Sequence, residues 1–371
     1  MKRWLLGTSA LAAVGLLAAG AGADDGVKLH IGGRYLAAAG AVLNEHSNVF
    51  GFDNSERDYV FKQDVEVYFL GETTLENGLT IGARVELEGQ TSADQIDAVF
   101  AYFSGSFGEV RFGDTFEALA QFCYTVPSAS SIFGADSPLF SFSNAGAFGY
   151  SGTNGTCYGI DDKSTKVVYF SPAFGGFQFA ASFTPDNTED TRNYVDDDTR
   201  IGTRFKNDPG QLSENLSVAA TYQHDFNGIA IAAGGGFSEA FDRETPSAFE
   251  ANDRREYNAY LRVGYGGFTV GGAFSRRDNI ADFEDLDDQV YGAGVTYDWS
   301  RYSIGLGWTR GAYEAADHRH DNYDVVALTG SLTLASGISI DGLLGYSDYN
   351  ARAAFRDYKA LEVGLGTAIT F

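Results

Sequence analysis

The chain repeatedly alternates large apolar residues with small, polar or charged ones, and this pattern limits the folds open to it. From Leu361 to Phe371 alternate residues are apolar or threonine, and the residues between them are glutamate, glycine, alanine and threonine. The segment 79–88 repeats the pattern and carries an arginine and two glutamates on its polar face. Successive side chains of a β-strand point to opposite faces. Because charged residues do not fill a dry core, both segments predict strands with one apolar and one water-facing side.

The same period of two recurs along most of the chain. Other segments with one apolar and one polar face are 28–35, 177–184, 257–265, 268–275, 291–298, 302–309, 326–334 and 338–347. Two more segments, 59–72 and 94–104, are strand-like, but their alternation leaves open which face is apolar. We therefore expect an all-β protein.

The connections between these segments are alternately short and long. The short ones are glycine-rich or Asn-Gly turns, which favour tight reversals: 76–78, 105–108, 171–176, 227–228, 266–267, 298–301 and 335–337. The long ones are polar loops: 39–58, 115–164, 185–215, 241–255, 277–287 and 311–322. Counting between connections predicts sixteen strands, and short turns at one end with long loops at the other are typical of a transmembrane antiparallel β-barrel of the outer membrane. A secreted soluble β-protein is the alternative, although it would not normally keep glycine, serine and charge on one face of nearly every strand.

Residues 1–23 differ from the rest of the chain. A positive start at Lys2 and Arg3 precedes the apolar stretch from Leu5 to Ala19 and the small residues at 21–23, which is typical of a signal peptide. The stretch is shorter than the roughly 20 apolar residues that a spanning helix needs, which disfavours an uncleaved anchor. We expect cleavage before Asp24 and a mature barrel domain over 24–371.

Charge and histidine content exclude several functions. The chain has 26 Lys+Arg against 50 Asp+Glu, a formal net charge of −24, so we expect no nucleic-acid partner. The signal peptide carries Lys2 and Arg3 and no acid, so the predicted mature charge is −26. The 5 histidines show no arrangement with a nucleophile or acid pair that would indicate an enzyme, and no cofactor motif is evident.

Aromatic residues lie next to the short turns, where an interfacial girdle of a membrane barrel is expected. High strand propensity of tyrosine and phenylalanine is the alternative explanation for each of them taken singly. The residues are Phe177, Phe226, Tyr265, Phe268, Tyr297, Trp299, Tyr302 and Phe371.

Four features of the sequence match one known family: LENGLTIGARVELE (75–88), GEVRFGD (108–114), KVVYFSPAFGGFQFAASFTP (166–185) and the terminal Phe371. In these stretches the sequence resembles the general, trimeric porins of Gram-negative outer membranes. The resemblance implies a sixteen-stranded homotrimer in the bacterial outer membrane, with short periplasmic turns, long outer loops and a third loop folded into the lumen. It also implies a water-filled channel for passive diffusion of small hydrophilic solutes and ions, surrounded by membrane lipids that include lipopolysaccharide.

The third long loop, 115–164, would be the constriction loop. Its Phe133-Gly134-Ala135-Asp136 resembles the Pro-Glu-Phe-Gly-Gly-Asp motif of the family, although Ser131 and Ile132 replace Pro-Glu. The resemblance opposes loop acids to basic residues on the barrel wall. The candidate acids are Glu117, Asp136, Asp161 and Asp162, and the inward basic candidates are Arg34, Arg84, Arg111 and, on a strand of ambiguous facing, Lys62. Each arginine could instead form a structural ion pair with a lumen carboxylate such as Glu86 or Glu88.

The excess of acidic residues, with inward Glu88, Asp341 and Glu362, leads us to expect weak cation preference. A solute-specific channel and a plugged structural or adhesive barrel are the alternatives. Cys123 and Cys157 both lie in the third loop and could form a disulfide in an oxidising envelope, or remain free thiols. Asp196, Asp197 and Asp198 could bind a structural calcium ion, or form a solvated acidic loop.

Overall fold

The computed structural model describes residues 26–47, 58–90, 95–136, 142, 155–157, 159–161, 163–186, 213–241, 253–280, 287–314, 320–350 and 358–371. The predicted signal peptide, Asp162 and 196–198 lie outside these residues. Within them, no helix combines the length and apolarity that crossing a membrane requires.

Sixteen antiparallel strands form a closed barrel in which each strand pairs with its neighbours in sequence and β1 pairs with β16. The predicted fold class is therefore confirmed. The strands are β1 (Lys28–Ser47), β2 (Tyr59–Thr74), β3 (Thr80–Glu88), β4 (Ile96–Gly105), β5 (Gly108–Asp114), β6 (Thr165–Phe170), β7 (Phe177–Asp186), β8 (Ser213–Phe226), β9 (Ile229–Phe241), β10 (Arg254–Tyr265), β11 (Phe268–Asp278), β12 (Asp288–Trp299), β13 (Tyr302–Glu314), β14 (His320–Ala335), β15 (Ile338–Asn350) and β16 (Tyr358–Thr370). A single turn of helix, α1 (Ala118–Gln121), follows β5 in the described residues.

The strand register settles the facing of β2, which the sequence left open. Glu66 lies opposite Arg34 of β1 and opposite Glu88 of β3. Residues directly opposite each other in adjacent strands share a face, so these charges and Asp64 face the lumen. Phe61 lies an odd number of positions from Asp64 in the same strand, so it faces outward, and it is 79% exposed. The sequence was ambiguous because this strand mixes charged and apolar residues on its inner side.

The outer surface of the barrel is a band of exposed large apolar side chains. Representative residues of this band on β7, β13 and β16 are Phe179, Phe183, Ile304, Leu306 and Leu365. Closing the sheet pairs every strand edge, which is what a sheet needs in order to satisfy its backbone groups in hydrocarbon. The exposed band is therefore the surface that contacts lipid.

Aromatic rings border this band at the end of the short turns. The ring centroids of Phe268 and Tyr297 are 4.4 Å apart, and Trp299 lies 5.5 Å from Tyr297 and 5.7 Å from Tyr302. The nearby turn at Asn227-Gly228 has positive φ at both residues, 55° and 94°, as a tight two-residue hairpin turn requires. These four rings thus form a connected group at the short-turn end of β11 to β13, within the region where the sequence predicts a girdle.

Outward-facing ion pairs border the band at the opposite end. Each joins the two strands of one outer hairpin, in four successive hairpins from β9 to β16. The pairs are Glu239–Arg255 (2.6 Å), Arg276–Asp287 (2.9 Å), Arg310–Asp324 (2.6 Å) and Asp348–Lys359 (3.0 Å). Charged pairs are costly in hydrocarbon, so they mark the upper limit of the lipid-contacting surface.

Candidate functional site

The connection between β5 and β6 lies inside the barrel. Its backbone is bonded to lumen-facing side chains of distant strands: the N–H of Ala118 donates to Ser182 Oγ of β7 (3.0 Å), and the N–H of Leu119 donates to Ser217 Oγ of β8 (2.9 Å). Further along, Thr309 Oγ1 of β13 donates to the carbonyl of Ala135 (2.8 Å). The described part of the loop therefore lies against the inner wall of the barrel, along β7, β8 and β13.

Glycines on the inner face of the wall make room for this loop. A Cβ at Gly294 of β12 would lie 2.6 Å from the carbonyl oxygen of Pro127, and a Cβ at Gly305 of β13 would lie 2.9 Å from the nitrogen of Ala129. These distances are shorter than van der Waals contact. The small residues that alternate with apolar ones on these strands are thus explained by close approach of the loop backbone.

A disulfide joins two distant parts of the loop. Cys123 and Cys157 are bonded, with their Cα atoms 5.6 Å apart. The bridge lies beside Thr156, whose backbone N–H and hydroxyl donate to the carboxylate of Asp136. Of the two alternatives that the sequence left open, the structure has the bridge.

The loop acid Glu117 anchors the loop and does not face the pore. Its side chain is fully buried. One carboxylate oxygen accepts from the N–H of Ile160 (2.7 Å), and the other accepts from Asn215 Nδ2 of β8 (2.7 Å) and Ser238 Oγ of β9 (2.6 Å). Burial and the nearby charge of Asp161 raise the pKa of Glu117.

Asp136 is also buried within the loop, with 7% exposure. Its carboxylate accepts from the N–H of Val126 (3.0 Å), from the N–H of Thr156 (2.7 Å) and from the Thr156 hydroxyl. Burial raises the pKa of Asp136 to about 6. The prediction that Asp136 faces the constriction is wrong, because the carboxylate binds two backbone segments of the loop together.

Asp161 completes this set at 3% exposure. Its carboxylate accepts from the hydroxyl of Thr184 on β7 and lies 3.6 Å from the buried ammonium of Lys166 on β6. Burial raises the pKa of Asp161. Glu117 and Asp161 are therefore buried contacts between loop and wall, and Asp136 is a buried contact within the loop. For these three of the predicted constriction acids the predicted pore-facing role is wrong. Asp162 lies outside the described residues.

The basic wall residues face the lumen, and each arginine is ion-paired. Arg34 Nη2 lies 2.9 Å from Asp64 and also contacts Glu66. Arg84 Nε lies 2.6 Å from Glu86, and its guanidinium is 4.7 Å from the ring centre of Tyr68.

Arg111 Nε lies 2.6 Å from Glu109, and its guanidinium lies between the rings of Phe100 (5.0 Å) and Phe170 (4.7 Å). Lys62 Nζ is 5.7 Å from the ring centre of Phe142 in the loop. Of the two alternatives for these arginines, the structure has the ion pairs.

Wall carboxylates that the sequence did not single out as a group lie close together on β2, β3 and β4. Carboxylate oxygens of Asp64, Glu66 and Glu88 lie within 4.8 Å of one another, as do those of Glu66, Glu86 and Asp97. Such oxygens could hold a divalent cation, but Arg34 already contacts two of them. Only the register of β2 could reveal this cluster, since the facing of that strand was ambiguous.

A family model described as Gram-negative porin matches residues 7–352. The chain belongs to this family. With its closed barrel and internal loop, this porin is an outer-membrane channel of Gram-negative bacteria. No curated protein matches its sequence.

Solved structures support the fold. The OmpTΔL8 loop-deletion mutant, an outer membrane protein of Vibrio cholerae, has a TM-score of 0.61 at 15% identity, covering 94% of this chain and 100% of that chain. The anion-selective porin from Comamonas acidovorans has a TM-score of 0.59 at 15% identity, covering 93% and 100%. In-vitro folded OmpT of Vibrio cholerae in its trimer form has a TM-score of 0.59 at 15% identity, covering 94% and 100%. At these identities the likeness establishes the fold.

Proposed function

We propose that this porin is a passive, water-filled pore for small hydrophilic solutes and ions, with weak cation preference, and that it conducts without catalysing a reaction. The observation that carries the proposal is that the internal loop bonds to one part of the lumen wall and charged side chains line another part. The loop backbone is bonded to β7, β8 and β13, whereas the lumen face of β1 to β5 carries charged side chains that are largely buried in ion pairs with one another. Polar groups that line a lumen set which solutes pass.

An open cavity beside the loop supports a water-filled path. It has a volume of about 300 Å³ and lies near the short turns, where Arg111, Glu109 and Gln178 provide polar groups and Phe122 and Phe170 provide rings. The cavity gives the short-turn end of the proposed pore polar groups that hydrated solutes can contact.

The wall charges favour cations. The carboxylates clustered on β2, β3 and β4 outnumber the cations that contact them, Arg34, Arg84 and Lys163. The chain as a whole carries −24. Because the porin from Comamonas acidovorans with a similar fold is anion-selective, the fold alone does not determine the sign of selectivity. We infer that the side chains of the lumen wall determine the sign of the selectivity, and in this porin they are predominantly acidic.

We further propose that the porin is a homotrimer embedded in membrane lipids that include lipopolysaccharide. A trimer form of the structurally similar OmpT supports the assembly. The outward ion pairs of β9 to β16, which include Arg276 and Arg310, lie at the level where phosphate groups of the outer leaflet would approach.

Recording from the purified protein in planar bilayers tests the function. We expect discrete open-channel steps, conductance that rises with salt concentration, and a reversal potential in a salt gradient that indicates modest cation preference. Absence of conductance would support a plugged barrel, and anion preference would contradict the proposed selectivity. Chemical cross-linking of the detergent-solubilised protein, read by mass, tests the trimer.

A further inference from the structure

Arg262 of β10 differs from the other arginines that face the lumen. Among the described residues, every other lumen-facing arginine has a carboxylate within ion-pair distance: Arg34, Arg84, Arg111, Arg254 and Arg277. Arg262 has none. Its inward position follows from the register, which places it opposite Ala232 of β9 and Gly271 of β11. Both neighbours are small and uncharged.

The contacts of Arg262 use only some of the N–H donors of its guanidinium and do not neutralise its charge. Its Nη2 donates to the carbonyl of Thr125 in the loop, and its guanidinium lies 4.9 Å from the ring centre of Tyr124. Its Nε is buried with no hydrogen-bond partner among the described residues. A guanidinium has five N–H donors and a permanent charge, so one carbonyl and one ring face neither saturate nor neutralise it.

The charge of the Asp136 carboxylate acts on Arg262, but its oxygens form their hydrogen bonds with other residues. Its oxygens accept three hydrogen bonds, from Val126 and Thr156, and it is buried within the loop. The positive charge of Arg262 therefore remains without a contacting anion.

Two further polar groups lie beside Arg262. Gln223 Nε2 of β8 donates to the hydroxyl oxygen of Tyr124 (2.9 Å), so the hydroxyl proton of Tyr124 is available to a further acceptor. Gln223 is exposed and Tyr124 and Arg262 are half-buried, which leaves the group open to the lumen. Arg262 precedes the Gly266-Gly267 turn and Gln223 precedes the Asn227-Gly228 turn, each by a few residues, so the group lies near the short-turn end of the pore.

We propose that Arg262, Tyr124 and Gln223 form a subsite that binds the carboxylate or phosphate group of a small solute. The guanidinium supplies charge and donors, and the Tyr124 hydroxyl supplies a further donor. A compact oxyanion is the complementary ligand, because it accepts several hydrogen bonds and neutralises the guanidinium. The subsite rests on the proposed function as an open pore, through which the solute reaches it.

If Arg262 only held the loop in place and bound no solute, its replacement would change the conductance in a different way. Bonding to Thr125 and stacking on Tyr124 hold the loop, and loss of that hold would change the conductance in plain potassium chloride. It would not make the conductance depend on an added oxyanion. Tyr124→Phe separates the two roles, because it keeps the ring against Arg262 and removes only the hydroxyl.

Current through the purified porin in planar bilayers, recorded with acetate or inorganic phosphate added at constant ionic strength on the short-turn side, tests the subsite. We expect a saturable reduction in conductance. Arg262→Gln should raise the half-blocking concentration at least roughly tenfold, the loss expected for one charge-assisted hydrogen-bonding group. Arg262→Lys and Tyr124→Phe should have smaller effects. Arg255→Gln, at an ion-paired arginine on the outward face of the same strand, should leave the half-blocking concentration within about twofold.

Block by acetate alone or phosphate alone would identify the group bound. An open channel that neither probe blocks, or equal block of wild type and Arg262→Gln, would overturn the subsite while leaving the pore function intact. A protein that does not conduct at all would overturn the pore function and the subsite together.

Discussion

Asn215 of β8 donates from Nδ2 to a carboxylate oxygen of Glu117 over 2.7 Å, joining the barrel wall to the beginning of the internal loop. The same oxygen accepts from Ser238 of β9, and the other oxygen accepts from the N–H of Ile160 near the end of the loop. One buried carboxylate thus fixes both ends of a 50-residue connection to two adjacent strands.

Replacing Glu117 with alanine should loosen both ends of the loop. The change removes the Glu117 oxygens that accept from the Ile160 N–H and from the Asn215 amide, at about 1–3 kcal/mol each. We expect the free energy of loop opening to fall by about 2–5 kcal/mol and single-channel current to become noisier. Hydrogen exchange at Ala118 and Leu119, followed by mass spectrometry, measures the opening.

Two variants control this experiment. Glu117→Gln has nearly the same shape and resembles the protonated acid that burial favours, so it should cost less than Glu117→Ala. Glu76→Ala changes an exposed glutamate in a short turn and should leave loop exchange unchanged. Equal exchange in Glu117→Ala and wild type would show that the loop does not depend on this contact.

Asp136 should make the loop less stable as pH rises. Burial raises its folded pKa to about 6, above the unfolded value of about 3.9. Its contribution is therefore fully present below about pH 3.9 and is lost as pH rises through about 6. Amide exchange at Val126 and Thr156, corrected for intrinsic rates, should show increasing opening across this interval. Asp136→Asn should remove that increase, and an unchanged increase in this variant would assign it to another group.

Removing the disulfide should broaden the conformations of the loop. The cysteines are separated by 34 positions, and in the chain-entropy description a bridge of this span stabilises by about 4 kcal/mol. The double variant Cys123→Ser with Cys157→Ser should therefore show faster loop exchange and a wider distribution of single-channel conductances. Cys123→Ser alone should match the double variant, because one cysteine cannot bridge. Unaltered exchange in both variants would mean that the other contacts already hold the loop.

The ion pair between Arg84 and Glu86 should set part of the selectivity. Arg84→Gln leaves the Glu86 carboxylate without its 2.6 Å partner and should shift the reversal potential towards stronger cation preference. Glu86→Gln should shift it in the opposite direction. Arg310→Gln, on the lipid-facing side, removes the same charge from outside the pore and should produce no shift. A shift of the same size at Arg310 would attribute the effect to overall charge.

The sequence predicts the barrel well because alternation is a property of each strand by itself. The apolar face of 361–371 and the polar face of 79–88 follow from side-chain geometry alone, and both appear in the structure. The facing of Phe61 and Asp64 could not be predicted in this way. It depends on pairing with β1, which the sequence of β2 does not encode locally.

The roles of the loop acids could not be predicted from the sequence, for a different reason. A carboxylate in a loop can face water or accept backbone N–H groups, and nothing local distinguishes the two for Glu117 or Asp136. Their burial arises from contacts with residues far along the chain, such as Ser238. Arg262 was similarly overlooked: its alternating strand predicts an inward side chain, but the absence of a carboxylate beside it appears only when β9 and β11 are placed.

A side chain added beneath the loop should narrow the pore. A Cβ at Gly294 would lie 2.6 Å from the carbonyl oxygen of Pro127, which is too close for contact, so Gly294→Ala should push this part of the loop towards the lumen and lower the single-channel conductance. Gly345→Ala on β15 is a matched control on the lumen face, because Gly345 lies opposite Glu362 and the nearest atom to its Cβ is 3.6 Å away. Overpacking of this kind costs about 1–3 kcal/mol, which the barrel should tolerate without unfolding. Equal conductance of the two variants in bilayer recordings would show that the loop yields along the wall and that the glycine does not set the width of the pore.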